Sequence, residues 1–200
     1  SAVQRIFEAK GRPSDHPLIV HIALPETRDA AGWRAAVIPF AYDVPGFASA
    51  LMLAFWPGPL TLILPRRPEV AAVAAGGQDS VGLRCPSHPV AQSLLLAAQA
   101  LGVAGVAAPS ANRFGRVSPT TAAHVVEEFA ALDDGTLLIL DGGACPVGIE
   151  STIIDCSRAA PVLLRPGSIT TAQIEAACGL AVRERDAAAP RALPPATPLL

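Results

Sequence analysis

Segments with a helical hydrophobic period alternate with short apolar runs, typical of buried strands, along almost the whole chain. A predicted helix over 2–9 is followed by a predicted strand over 18–22, and the alternation continues from there. Such an order favours an α/β domain, which we place over residues 1–185, with a mixed, twisted open sheet and helices packed on it. Residues 186–200, rich in Ala and Pro, are predicted to be a linker or tail.

The remaining elements follow from the same periods and from helix-capping signals. Helices are predicted at about 45–55, 88–101, 119–132 and 170–178, and strands at 60–64, 80–84, 103–108, 137–140, 151–155 and 162–164. Ser118 is the predicted N-cap of the third of these helices, with Pro119 at its first position. Thr170 and Gln173 have the spacing of a capping box.

The composition excludes several classes of protein. Hydrophobic residues make up 51% of the chain and charged residues 16%. This composition is too apolar for a disordered segment. The net charge of −2 argues against a general polyanion binder, because such binding depends on many Lys and Arg side chains. The uncharged run 89–112 is long enough to cross a bilayer. It contains Gln92 and Gln99, however, and is interpreted as a buried helix followed by a buried strand.

The four cysteines are scattered, with no C-x-x-C pair and no zinc-type spacing to a histidine. We therefore predict free thiols and no protein metal site. The chain opens without a secretory leader, so a cytoplasmic protein without a membrane segment is expected.

The single lysine among 15 cationic side chains lies in a loop broken by Gly and Pro. Lys10 and Arg12, two residues apart, can clamp a polyphosphate as a point charge and a bidentate fork, with His16 close by. The alternative is a solvated turn after a helix. His21 lies in the strand that follows, where a histidine is either a satisfied core group or a site residue.

Further candidates lie where predicted strands end, which is where open α/β sheets bind ligands. Ser80 and Arg84 bound one strand, although Arg84 could be an ordinary surface arginine. Ser110, Asn112 and Ser118 belong to a polar loop suited to an anion or a nucleotide. The last candidates are Glu150 and Ser151, at the end of a Gly-rich loop, and Arg165, which ends a strand; the glycines could equally form a long turn. None of the common phosphate-loop or nucleophile-elbow motifs is present.

Taken together, these motifs resemble the YrdC-like family of threonylcarbamoyl-AMP synthases. The matching segments are KGRPSDHPLIVHI (10–22), FWPGPLTLIL (55–64), SVGLRCPSHP (80–89), APSANRFGRVSPT (108–120), GIESTIID (148–155) and LLRPG (163–167). The resemblance implies an enzyme with a concave basic site that makes threonylcarbamoyl-adenylate and pyrophosphate from L-threonine, bicarbonate and ATP, with Mg²⁺ accompanying the ATP. A separate transferase system then modifies tRNA, and a weak tRNA contact is a further expectation.

The resemblance also assigns roles to residues. Lys10 and Arg12 are implied as catalytic cations in the hollow that takes ATP. The implied ATP contacts are Arg12, His16, Ser80, Ser110, Ser118 and Arg165, and the implied threonine contacts are His21, Arg84, Ala108 and Ser151. Asn112 and Glu150 are additional candidates.

Two departures from the family pattern accompany this resemblance. Family members usually have a strand and a P-T-E-T-V-Y-G-L-type loop before the first helix, and we expect part of the threonine pocket to be missing here. The usual Asn of the first motif is His16, whose charge depends on pH. Two alternatives stay open: an RNA-binding module of the same fold, which the aromatic content of 4% disfavours, and a domain that binds nucleotide without turnover.

Overall fold

The computed structural model describes residues 1–132, 135, 137–145 and 148–184, so the predicted linker at 186–200 lies outside the described residues. In chain order the elements are α1 (Ala2–Lys10), β1 (Ile19–His21), α2 (Ala30–Val37), α3 (Gly46–Phe55), β2 (Leu60–Pro65), β3 (Ser80–Arg84), α4 (Pro89–Ala100), β4 (Val106–Ala107), α5 (Ala122–Glu128), β5 (Thr152–Asp155), β6 (Val162–Arg165), α6 (Thr171–Cys178) and β7 (Arg183–Glu184).

The strands form one mixed sheet in the order β4-β1-β3-β2-β5-β6-β7. Strand β1 is parallel to β3, β2 to β5 and β6 to β7, whereas β4–β1, β2–β3 and β5–β6 are antiparallel pairs. The predicted fold, an open mixed sheet with helices packed on it, is therefore confirmed. The capping box of α6 is also present, with the Thr170 side chain accepting from Gln173 N.

One face of the sheet carries the hydrophobic core. Leu62, Leu83 and Ile154, from three neighbouring strands, are fully buried there. Helices α2 and α3 contribute Trp33 and an adjoining Trp56, whose rings meet edge to face with centroids 5.6 Å apart. Because successive side chains of a strand point to opposite faces, the residues between these core positions face the other side of the sheet.

Three predicted elements differ from the structure. Helix α5 begins at Ala122 with Thr121 as its N-cap, and the predicted cap, Ser118, donates instead to Glu150. Residues 137–140 have no strand, since no neighbouring strand pairs with them and an isolated strand leaves its backbone groups unpaired. The strand predicted at 103–108 is shorter, β4 being only two residues long.

Two elements escaped prediction. Helix α2 begins at an Asp29 N-cap whose carboxylate accepts from Gly32 N at 2.8 Å. Gly32 weakens the helical signal, yet a Cβ there would lie 1.9 Å from Thr27 O, so the close approach requires glycine. Strand β7 has only two residues and was too short to be recognised by period.

The long uncharged run forms a helix followed by a strand, α4 and β4, as predicted, but the expected burial is wrong. Only Gln92 and Leu95 of α4 are buried, since a single face of the helix packs against the protein, and β4 is half-buried. None of the helices in the described ranges combines the length and the apolar composition needed to cross a bilayer.

Candidate functional site

A cavity of about 770 Å³ covers the face of the sheet that is turned away from the core. Ser80, Gly82 and Arg84 of β3 line it, whereas the intervening Val81 and Leu83 are buried in the core. The alternation of a single strand thus supplies the cavity floor on one side and the core on the other.

Most of the residues predicted from sequence meet in this cavity, although they come from distant segments. The predicted residues that line it are Arg12, His21, Ser80, Arg84, Ala108, Ser110, Ser118, Glu150, Ser151 and Arg165. The lining does not include Lys10, His16 or Asn112. Those three lie outside the lining, in contacts described below.

His21 and Arg84 are neighbours across the parallel pair β1–β3, where they are register partners. Arg84 Nε donates to Gly58 O at 3.1 Å, which fixes the guanidinium at the strand end. Burial, with a smaller contribution from the Arg84 charge, lowers the pKa of His21 to about 4. At neutral pH the pair therefore offers one fixed cation and one neutral imidazole, which suits a ligand carboxylate.

The depressed pKa of His21 predicts how stability depends on pH. Between pH 4 and the ordinary histidine pKa of 6.5, the unfolded chain binds more protons at His21 than the folded chain does. The pKa shift of His21 therefore contributes up to about 3 kcal/mol to the free energy of unfolding. This contribution is complete above pH 6.5 and is lost as the pH falls toward 4. Urea unfolding of the wild type and of His21→Asn from pH 4 to 7 should show a shallower pH slope for the variant. Equal slopes would contradict the prediction.

Arg165 organises the opposite side of the cavity. Its Nε donates to Ser151 O at 3.0 Å and its Nη2 to Ser151 Oγ at 2.9 Å, while its Nη1 pairs with Glu150. Ser151 Oγ is also 2.8 Å from the Oγ1 of Thr61, which is fully buried. Glu150 accepts a further hydrogen bond from Ser118 Oγ at 3.3 Å. The loops at 118, 150–151 and 165 are thus joined by a single polar network.

Arg12 lies at the edge of the cavity with its guanidinium held on several sides. Its Nη2 donates to Pro17 O at 2.9 Å, and its Cζ lies 5.8 Å from the centre of the Phe114 ring. His16 meets the same ring edge to face, with centroids 5.2 Å apart. His16 therefore packs against the loop that carries Phe114.

Lys10 is buried, at 5% exposure, and its Nζ donates to Ser110 O at 2.5 Å and also to Asn112 O. The Asn112 side chain closes the same loop, since its Nδ2 donates to Arg113 O and Arg116 O. The structure thus brings Lys10 to the loop of Ser110, and Ser110 itself lines the cavity.

The cavity lining is cationic. Its carboxylates in the described chain are Glu150, which is paired with Arg165, and Asp155, which is bonded to Ser157 and Arg158. Arg12 and Arg84 form no ion pair with any described carboxylate. Their two charges are available to an anionic ligand.

Sequence reasoning missed Gly82 of the lining and Thr61, which supports Ser151. It also missed other polar or thiol residues of the lining, namely Gln78, Ser87, His88, Thr120, Cys145, Asp155 and Ser168. Gly82 lies between Ser80 and Arg84 on the cavity face of β3, and the alternation of that strand was a usable signal. Thr61 had no such signal, because it is a hydroxyl inside an apolar strand and its partner Ser151 is 90 residues away.

Comparison with known proteins supports the fold. The family model Sua5/YciO/YrdC, described as "Telomere recombination", matches residues 1–167. The threonylcarbamoyl-AMP synthase of Pyrococcus abyssi is 45% identical over 179 residues, covering 90% of this chain and 48% of that protein. The Bacillus subtilis threonylcarbamoyl-AMP synthase is 46% identical over 180 residues, covering 89% of this chain and 47% of that protein.

A solved structure gives the same result. The crystal structure of P. abyssi Sua5 complexed with L-threonine superposes with a TM-score of 0.74 at 43% identity, covering 91% of this chain and 49% of that one. This chain spans about half the length of these relatives. From the family match over residues 1–167, together with the shared sheet, it follows that this chain belongs to the Sua5/YciO/YrdC family.

Proposed function

We propose that this chain carries the catalytic site of a threonylcarbamoyl-AMP synthase, which converts L-threonine, bicarbonate and ATP into L-threonylcarbamoyladenylate, pyrophosphate and water. The observation that carries the proposal is the cavity of about 770 Å³, in which Arg12, Arg84 and Arg165 face a shared space. Relatives named for this activity align over nine-tenths of the chain. The volume falls within the range typical of small-molecule sites.

In this proposal threonine lies at the end of the cavity where β1 and β3 run side by side. Arg84 binds the carboxylate, and the neutral His21 beside it hydrogen-bonds the polar groups of the amino acid. Ser151, held by Arg165 and Thr61, and Ala108 complete the threonine contacts. The threonine complex of the P. abyssi protein supports this choice of amino acid.

ATP occupies the remainder of the cavity. The residues that we assign to it are Arg12, His16, Ser80, Ser110, Ser118 and Arg165, with Asn112 and Glu150 supporting the walls. Among the described residues no cluster of three or more His, Cys, Asp or Glu is placed to hold a metal ion. Mg²⁺ is accordingly proposed to enter with the phosphates of ATP, as in other nucleotide sites.

The chemistry requires position and charge more than a protein nucleophile. The threonine amine and bicarbonate first form a carbamate with loss of water. A carbamate oxygen then attacks the α-phosphorus, the bond to the β-phosphate oxygen breaks, and pyrophosphate leaves with the electron pair. Fixed guanidinium groups stabilise the negative charge that develops on the phosphates, and they need no reorganisation during the step.

The proposal places the protein before a tRNA-modifying transferase system, which consumes the adenylate in the cytoplasm. The alternative of an RNA-binding module gains little from the cavity, because no Phe, Tyr or Trp is among its described lining residues. Stacking on such rings is a usual source of affinity for single-stranded RNA.

Pyrophosphate release tests the function directly. We expect release from ATP only when threonine and bicarbonate are both present, with no release when either is omitted. Serine and alanine, offered at equal concentration, serve as amino-acid controls. Release that ignores threonine, or ATP binding without any release under all conditions, would contradict the proposal. The second result would favour a nucleotide-binding domain without turnover.

A further inference from the structure

The polar loop 110–117 is held by two charged residues that do not line the cavity. Lys10, at the end of α1, and Glu128, at the end of α5, both contact it. The loop itself contributes Ser110 to the cavity, and Ser118 follows directly after it. The position of these two hydroxyls therefore depends on what holds the loop.

The contact with Lys10 joins residues about 100 positions apart in the chain. Its ammonium donates to the carbonyl oxygens of Ser110 and Asn112, and its own carbonyl accepts from Phe114 N at 2.8 Å. A buried ammonium is tolerated only when it is hydrogen-bonded, and here backbone oxygens of the loop supply the bonds. The negative ends of these carbonyl dipoles therefore point at the ammonium of Lys10. Carbonyl oxygens that pointed into the cavity would repel a phosphate there.

The contact with Glu128 complements that of Lys10. Its Oε1 accepts from Arg113 N at 2.9 Å, and its Oε2 lies 3.6 Å from Arg116 Nη1. The Glu128 side chain is only 15% exposed, whereas Arg116 is 68% exposed, so the carboxylate is partly sheltered and its ion pair is open to water. The carbonyl groups of the loop thus bind an ammonium, and an amide and a guanidinium of the same loop bind a carboxylate.

We propose that Lys10 and Glu128 are positioning residues that together hold the 110–117 loop, so that Ser110 and Ser118 face the nucleotide. The proposal rests on the proposed function and changes the role that the family resemblance implies for Lys10, which acts through the loop without touching the phosphates. Lys10 is buried against loop carbonyls and is not part of the cavity lining, which is the geometry that carries this inference.

Hydrogen exchange in the nucleotide-free protein tests the proposal without any use of activity. In Lys10→Met and in Glu128→Ala, the amides of Arg113 and Phe114 are expected to exchange about 10- to 100-fold faster than in the wild type. Because both substitutions release the same loop, their effects should not be independent. In the double variant the fold-increase in exchange rate should be smaller than the product of the two single fold-increases. Arg5→Met and Glu127→Ala, exposed on the same two helices, are the matched controls.

Nucleotide affinity separates the two roles open to Lys10. If Lys10 is a positioning residue, Lys10→Met should lower the affinities for ATP and for AMP by similar factors. Lys10→Arg should then retain more of both affinities than Lys10→Met does. Unchanged exchange in Lys10→Met, or a loss of affinity confined to ATP, would overturn the proposal and favour direct phosphate contact. Should Lys10→Met not fold, unchanged exchange in Glu128→Ala would overturn it. If the wild type released no pyrophosphate but the variants changed hydrogen exchange as expected, the proposed function would be wrong and the role of Lys10 and Glu128 in holding the loop would stand.

Discussion

Replacing Arg84 by alanine is expected to raise the KM for threonine about 100-fold while the KM for ATP changes little. The guanidinium is fixed by Gly58 O beside the neutral His21, and we assign it to the threonine carboxylate. Two charge-assisted hydrogen bonds to a carboxylate contribute roughly 3 kcal/mol together, which corresponds to that factor. Steady-state pyrophosphate release at varied threonine and saturating ATP measures the change.

Two further variants sharpen this experiment. Arg84→Lys keeps the charge but loses the planar fork, so an intermediate KM is expected. Arg34→Ala removes an exposed arginine from α2, on the core side of the sheet, and should behave like the wild type. If Arg84→Ala lowered the affinity for ATP as much as that for threonine, the assignment of the two ends of the cavity would be wrong.

Substituting leucine for Gly82 is expected to lower pyrophosphate release at least about 100-fold, because the side chain would occupy the floor of the cavity where both substrates meet. A Cβ at Gly82 would lie 3.1 Å from Ile63 Cδ1 and 3.6 Å from Ile19 Cγ1, so it fits after a small shift. The rest of the leucine must extend into the cavity. Binding of ATP and threonine, measured by calorimetry, should be lost in parallel with activity.

Thermal unfolding provides the control for Gly82→Leu. Leucine in a strand restricts the unfolded chain more than glycine does, so the melting temperature should stay within a few degrees of the wild-type value. Gly46→Leu, at an exposed helix start with open space around its Cβ, should leave both activity and stability intact. Normal substrate binding by a folded Gly82→Leu protein would show that the substrates do not lie over this part of the sheet.

The fold class could be predicted from the sequence because the alternation of strands carries its own signal. In β3 the apolar Val81 and Leu83 alternate with Ser80, Gly82 and Arg84, so one strand already contains a core face and a site face. Helix ends with local signals, such as the capping box of Thr170, were equally readable. Helix α2 was not, because Gly32 breaks the pattern and its need for glycine arises from a contact with Thr27.

The residues of the candidate site were identified mainly through the resemblance of their motifs to a family, and their arrangement came only from the fold. His21 and Arg84 are 63 positions apart in the chain and adjacent only because β1 pairs with β3 in parallel. For Lys10 the motif predicted a phosphate contact, which stays a prediction, and the structure adds the hydrogen bonds from its ammonium to Ser110 O and Asn112 O. No local pattern encodes a hydrogen bond across 100 residues.

The amino-acid sequence by itself determined the kinds of element, the apolar face of each strand and the chemical types available to the site, since these depend on neighbours within a few residues. Only the tertiary structure decided which loops meet, which arginines remain unpaired among the described carboxylates, and which charged residues face the cavity or hold its walls. The physical reason is that side-chain period and capping are local, whereas burial, charge pairing and pKa depend on atoms brought together by strand pairing.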